Sequence, residues 1–115
     1  MSGDVHSGWI GVDLDGTLAY YEGFKGTDHI GVPIKPMVEK VKGWLADGKD
    51  VRIFTARQPS AAIRKWSKEH LGKILPITNR KDPQMICLYD DRAVGIERNT
   101  GKPFSPENEK QVFKK

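Results

Sequence analysis

The sequence predicts a single three-layer α/β domain built on a mostly parallel sheet, and three observations carry that expectation. Short apolar runs with β-branched residues alternate with stretches whose apolar residues recur at helical spacing, the order expected of strands joined by crossover helices. Three of those runs end in polar side chains: Asp13 and Asp15, Thr55 and Arg57, Asp90 and Asp91. The 115 residues, 37% of them hydrophobic, are enough for one modest core. The domain is expected to occupy residues 1–115, with a core over residues 8–98 and a polar tail over 100–115.

Each element follows from local composition. Residues 8–14, with Ile10 and Val12, read as a buried strand, and Gly16 lets the chain turn sharply behind it. The Gly-rich, polar stretch from Tyr20 to Pro36 reads as a loop. Met37, Val38, Val41, Trp44 and Leu45 then fall on one helical face, with Gly48 where a C-terminal cap is wanted. Val51 to Thr55 is a second strand. Pro59 and Ser60 open a second helix, with Ala62, Ile63, Trp66 and Leu71 along one side and Gly72 closing it. Ile74 to Ile77 is a short apolar run, Met85 to Tyr89 a clear strand, and Ala93 to Glu97 a candidate further one. The tail from Thr100 holds two prolines and offers either a short helix or a frayed end. There is no internal repeat and no low-complexity stretch.

The net charge of +4 is unevenly spread. Residues 1–34 hold five acids against Lys25 alone, whereas residues 35–81 hold twelve bases against four acids. Solvated helix faces account for most of that surplus; a positive field drawing in anionic substrates is the functional alternative. Nucleic acid stays open as a partner, with no stacking motif or reader domain to support it. No apolar run is long enough to span a bilayer, and Met1 to Ser7 is too short and polar for a leader. Cys87 has no partner for a disulfide and, between Ile86 and Leu88, reads as a buried strand thiol. The expectation is a reducing cytoplasm, with no membrane partner.

The chemistry concentrates in Asp13-Leu14-Asp15-Gly16-Thr17-Leu18. Two carboxylates spaced i, i+2 at a strand end repel unless a cation or a shared proton relieves them. A hard divalent metal does so naturally, because Mg²⁺ prefers a few carboxylates together with phosphate oxygens. In open parallel sheets ligands gather beyond the carboxyl ends of the strands, where the two later polar endings also point.

These residues resemble the haloacid dehalogenase superfamily of phosphoryl-transfer enzymes. Asp13 to Leu18 resembles its first motif, Ile53-Phe54-Thr55 its second and Asp90-Asp91 its fourth, in the same order over residues 10–96. Within that superfamily the chain looks most like small, capless, phosphatase-like proteins, including some from phages, which share His29-Ile30-Gly31, Thr55-Ala56-Arg57 and Asp90-Asp91-Arg92-Ala93. The resemblance implies a Rossmann-like fold and a Mg²⁺-dependent phosphatase working on a phosphate monoester. Asp13 would be the nucleophile that forms an aspartyl-phosphate, and Asp15 the general acid and base. Mg²⁺ would be held by Asp13, the main-chain carbonyl of Asp15, Asp90 and Asp91. Thr55, with Ala56 and Arg57, would bind the phosphoryl oxygens. Superfamily dehalogenases lack the acid at position 15, and transport ATPases carry Thr there, so Asp15 favours a phosphatase.

The third motif, a cation that neutralises phosphate and nucleophile, matches Lys81 by order. Lys81 stands only nine positions before Asp90, and a five-residue strand takes up ~16 Å of that return. Arg57, two residues past Thr55, is the alternative. Arg92 is expected to salt-bridge the acidic pair, with contact to substrate as the rival role. His29, Tyr20, Tyr21 and Phe24 lie where the superfamily has a mobile flap. Residues 19–36 are too few for a cap domain and name no substrate; an uncapped site suits either a phosphate at the end of something large or a second copy of the chain serving as the lid. The alternative functions are nucleic-acid end processing and non-catalytic binding of a phosphoryl group.

Overall fold

The computed structural model describes residues 7–114; the readings made on residues 1–6 lie outside the described residues. The elements run β1 (Trp9–Asp13), α1 (Lys35–Ala46), β2 (Asp50–Phe54), α2 (Ala61–Leu71), β3 (Ile77–Thr78), β4 (Met85–Tyr89) and α3 (Pro106–Val112). The four strands form one sheet in the order β3-β2-β1-β4, and every pairing is parallel. The expected α/β domain is therefore present, with a wholly parallel sheet. No helix among the described residues is long and apolar enough to cross a membrane.

Helix boundaries follow local chemistry. Pro36 sits in the first turn of α1, where its missing N–H costs nothing, and Gly48 follows the helix at φ +80°. In α2 the Ser60 hydroxyl caps the N-terminus by accepting from the Ile63 N–H at 3.2 Å, and Gly72 closes the helix at φ +86°. Of the two readings of the tail, the helix is realised as α3. Ala93 to Glu97 forms no strand: it makes one antiparallel bridge, Ile96 to Pro103, closing a small loop.

Strand register shows how the layers lie. Ile10 and Val12 pair with Val51 and Ile53, so all four point to one face. Val38 and Val41 of α1 and Ile63, Trp66 and Leu71 of α2 join that same cluster, with most of its members under 7% exposed. Both crossover helices thus share a face, and the return from β3 to β4 carries no helix. The reason is chain length. From Thr78 to the start of β4 the chain must move back four residues along the sheet, ~13 Å, and across three strand spacings, ~14 Å. The ~20 Å diagonal leaves seven extended Cα steps, ~23 Å, almost no slack, and a helix rising ~1.5 Å per residue would not reach.

A roof of side chains covers the second face. Trp9 is 1% exposed, its indole N–H donates to Asp82 Oδ1 at 2.9 Å, and the Arg52 guanidinium lies 4.8 Å from its ring centroid. Gly11 makes room for it: a Cβ there would lie 2.8 Å from Met85 Cε and 3.1 Å from the Trp9 ring. Cys87 corrects a second expectation. It is exposed, because β4 is a sheet edge that α1 covers only near Tyr89, whose ring centroid is 5.0 Å from that of Trp44.

Ser67 links α2 to the strand that follows. Fully buried, its hydroxyl donates to Lys73 O at 2.6 Å and accepts from Leu75 N at 3.0 Å. Ser67→Ala leaves a buried N–H without an acceptor and is expected to lower stability by about 1–3 kcal/mol in denaturant titration.

Candidate functional site

Strand order creates the site. The chain leaves β1 toward β2 and β3, then returns on the other side of β1 as β4, so the direction of winding reverses between β1 and β4. A crevice opens beyond the carboxyl ends at such a point. A bulge sharpens it: Trp9 pairs with Met85 but Ile10 pairs with Cys87, leaving Ile86 as an extra residue. The shifted register, carried one step past Val12 and Tyr89, puts Asp90 level with Asp13. Without the bulge Asp13 would face Tyr89.

The carboxylates of Asp13, Asp90 and Asp91 each offer an oxygen within 4.8 Å of the others. Asp13 pays electrostatically for this company. Burial, a hydrogen bond shared with Asp91, and the charges of Asp90, Asp91 and Asp15 together push its pKa to about 8. Local hydrogen bonds fix the other two acids. Thr17 Oγ1 donates to Asp91 Oδ1 at 3.2 Å and accepts from the Asp91 N–H at 3.1 Å. Asp90 Oδ1 accepts from the Arg92 N–H at 2.7 Å. Gly16, at φ +92°, lies against the Asp91 carboxylate, where a Cβ would come within 2.6–2.7 Å.

Asp15 belongs to a different arrangement. Its carboxylate turns away from the triad to a two-pronged pair with Arg57, Nε to Oδ2 at 2.8 Å and Nη2 to Oδ1 at 3.0 Å. That carboxylate holds the guanidinium proton more tightly than usual. The same guanidinium donates to Thr27 O at 3.2 Å and His29 O at 2.9 Å, fastening the segment before α1 to the end of β2. Thr55 is 3% exposed, and its hydroxyl accepts from the Arg57 N–H at 3.1 Å.

A cavity of about 510 Å³ gathers Asp13, Asp15, Thr55, Ala56, Arg57 and Asp90, together with Asp91. All the residues expected at the site thus meet there except Lys81. That side chain is exposed and does not line the cavity, and its neighbour Asp82 is tied to Trp9 on the roofed face. The extended diagonal from β3 to β4 carries it away. Arg92 lines the cavity, but the salt bridge expected of it is absent among the described residues, where the ion pairs are Arg57–Asp15 and Arg52–Asp50. Tyr21 and Phe24 line the same cavity, and His29 and Tyr20 an adjoining one. Sequence reasoning missed Thr17 as the anchor of Asp91, although its place behind Gly16 was a signal. It also missed the bulge, for which the sequence shows none.

Three carboxylates converge with no basic side chain at ion-pair distance among the described residues. Oxygen-only donors with an uncompensated charge fit a hard divalent cation.

An unfolded Asp loses its proton near pH ~4, whereas folded Asp13 keeps it to about 8. Between those values the native state binds the extra proton, so metal-free stability falls as pH rises and the loss is complete above 8. In chelator at pH 8, Asp13→Asn is expected to melt above the wild type, with the gap closing toward acid pH. A divalent cation should narrow the gap at pH 8. Equal melting temperatures in chelator at pH 8 would contradict the electrostatic account.

No family model and no curated protein matches the chain. Among solved structures, a conserved protein coded by a locus of Bacteroides thetaiotaomicron superposes with a TM-score of 0.56 at 21% sequence identity, over 92% of this chain and 87% of that one. The likeness is one of fold.

Proposed function

We propose that the chain is a capless member of the haloacid dehalogenase superfamily and a Mg²⁺-dependent phosphatase that hydrolyses a phosphate monoester through an aspartyl-phosphate on Asp13. One observation carries the reading: carboxylates from the ends of two strands 77 positions apart meet at one point, Asp13 with Asp90 and Asp91. The motif order and the shared fold support it.

Asp13, Asp90, Asp91 and the main-chain carbonyl of Asp15 are the groups that would hold Mg²⁺. When bound, it would screen the repulsion between an anionic nucleophile and an anionic phosphate. A carboxylate oxygen of Asp13 attacks phosphorus as the bond to the ester oxygen breaks, and Asp15 passes a proton to the departing alcohol. Asp15 then takes a proton from water, whose oxygen attacks phosphorus and frees Asp13 and inorganic phosphate. Thr55 orients the phosphoryl oxygens from the end of β2. Arg57 supplies the cation that Lys81 is too remote to give, and it holds Asp15 until a substrate anion competes for the guanidinium.

A second reading is a phosphoryl-binding module without turnover. The locked Asp15–Arg57 pair favours it, since both oxygens of the acid are engaged. Turnover separates the two.

With Mg²⁺ and an aryl phosphate, the wild type is expected to release phosphate and to stop in EDTA. Asp13→Asn should lose at least about 10³-fold in kcat while keeping its circular-dichroism spectrum. Wild-type turnover by Asp13→Asn would remove Asp13 from the nucleophile's role. Arg57→Ala should lower kcat/KM about 10²-fold or more, and Lys81→Ala should stay within about twofold. The reverse ranking would return the third-motif role to Lys81.

A further inference from the structure

We infer that the segment between β1 and α1 forms a leaving-group pocket for a planar ring, which makes nucleoside phosphates the favoured substrate class. This rests on the phosphatase reading, because it places the ring on the far side of the bond that Asp13 would break. A second cavity of about 380 Å³ adjoins the carboxylate cavity, and Asp15, Tyr21 and Arg57 line both. The two are one cleft with a phosphoryl end and an organic end. Asp15, the proposed acid, stands at their junction, where the ester oxygen would need its proton.

The organic end has a distinct chemistry. Tyr20 and Tyr21 are 61% and 48% exposed in a chain that buries Trp9 to 1%. Val32, Glu22, Lys25 and His29 also line the wall. Open aromatic faces attract a flat ring by stacking, and they offer an alkyl or sugar alcohol far less. The donors on Tyr20, Tyr21, Lys25 and His29 suit a ring and sugar rich in nitrogen and oxygen acceptors, and Glu22 can accept from a ring amine or a sugar hydroxyl. A volume of about 380 Å³ has room for a nucleoside, and a simple phenol would leave most of it empty.

Although the segment contains no helix or strand, its walls are held. The Tyr20 N–H donates to Val32 O at 2.9 Å, the Ile34 N–H to Leu18 O at 2.7 Å, and the Trp66 indole N–H to Gly31 O at 2.9 Å. Arg57 holds the main chain at Thr27 and His29. A Cβ on Gly31 would collide with the Tyr20 carbonyl oxygen, so the two limbs of the loop can lie side by side only with glycine there. The pocket is therefore preformed, and little ordering is needed when a ring enters.

The test compares kcat/KM, with Mg²⁺, for adenosine 5′-monophosphate, glycerol 3-phosphate and phenyl phosphate in the wild type, Tyr20→Ala and Tyr20→Phe. The nucleotide should exceed glycerol phosphate about tenfold or more. That ratio should fall toward one in Tyr20→Ala and persist in Tyr20→Phe. A wild-type ratio near one, a ratio that survives Tyr20→Ala, or a preference for phenyl phosphate over the nucleotide would overturn the inference. A 5′-phosphorylated oligonucleotide distinguishes a free nucleotide from a chain end. If it is preferred with a steep salt dependence, the ring belongs to a nucleic-acid end; if it is no better, to a free nucleotide; either supports the pocket. If no ester turns over, the phosphatase reading fails separately. Titration of adenosine 5′-monophosphate against glycerol 3-phosphate with Mg²⁺ then decides the pocket: tenfold tighter nucleotide binding supports it, and equal binding overturns it.

Discussion

Electrostatic repulsion among carboxylates packed at the end of the sheet is the constraint around which this small domain is arranged. Asp13, Asp90 and Asp91 come within reach of a single cation, and the partial burial of Asp13 makes their mutual repulsion costly. A chain under no functional demand would relieve that cost by turning one carboxylate outward. Here the surroundings prevent it. Thr17 grips Asp91 from two sides, the Arg92 N–H holds Asp90, and the paired strands fix Asp13. Stability is given up at one edge of the sheet to preorganise a negatively charged pocket, as strained functional sites generally do.

The cluster could not form without the register. The single extra residue at Ile86 advances β4 by one position, which brings an acid rather than Tyr89 level with Asp13. The parallel order does the rest, since the reversal of winding between β1 and β4 leaves the crevice open just there. Arg57 connects this pocket to the segment before α1, so the proposed acid, its guanidinium partner and the loop proposed to hold a ring are parts of one hydrogen-bonded unit.

Much of this was legible in the residues. The apolar runs before Asp13, Thr55 and Asp90 marked parallel strands, and Ser60 and Gly72 marked both ends of α2. Those signals are local, and local chemistry fixed them. Placement of Lys81 was not legible, because it depends on how far six residues must stretch between β3 and β4. Cys87 misled for a related reason: its apolar neighbours suit a strand, but only the strand order shows that the strand is an edge. The aromatic wall of Tyr20 and Tyr21 was hidden in a loop whose shape comes from distant partners, Arg57 and Trp66.

The central claim is that Asp13 takes the phosphoryl group. Acid quenching during turnover with Mg²⁺, followed by proteolysis and mass spectrometry of the peptide containing Asp13, tests it most directly. The account predicts a phosphoryl adduct on that carboxylate, discharged on longer incubation. Phosphate release with Asp13 unmodified at every time point would contradict it.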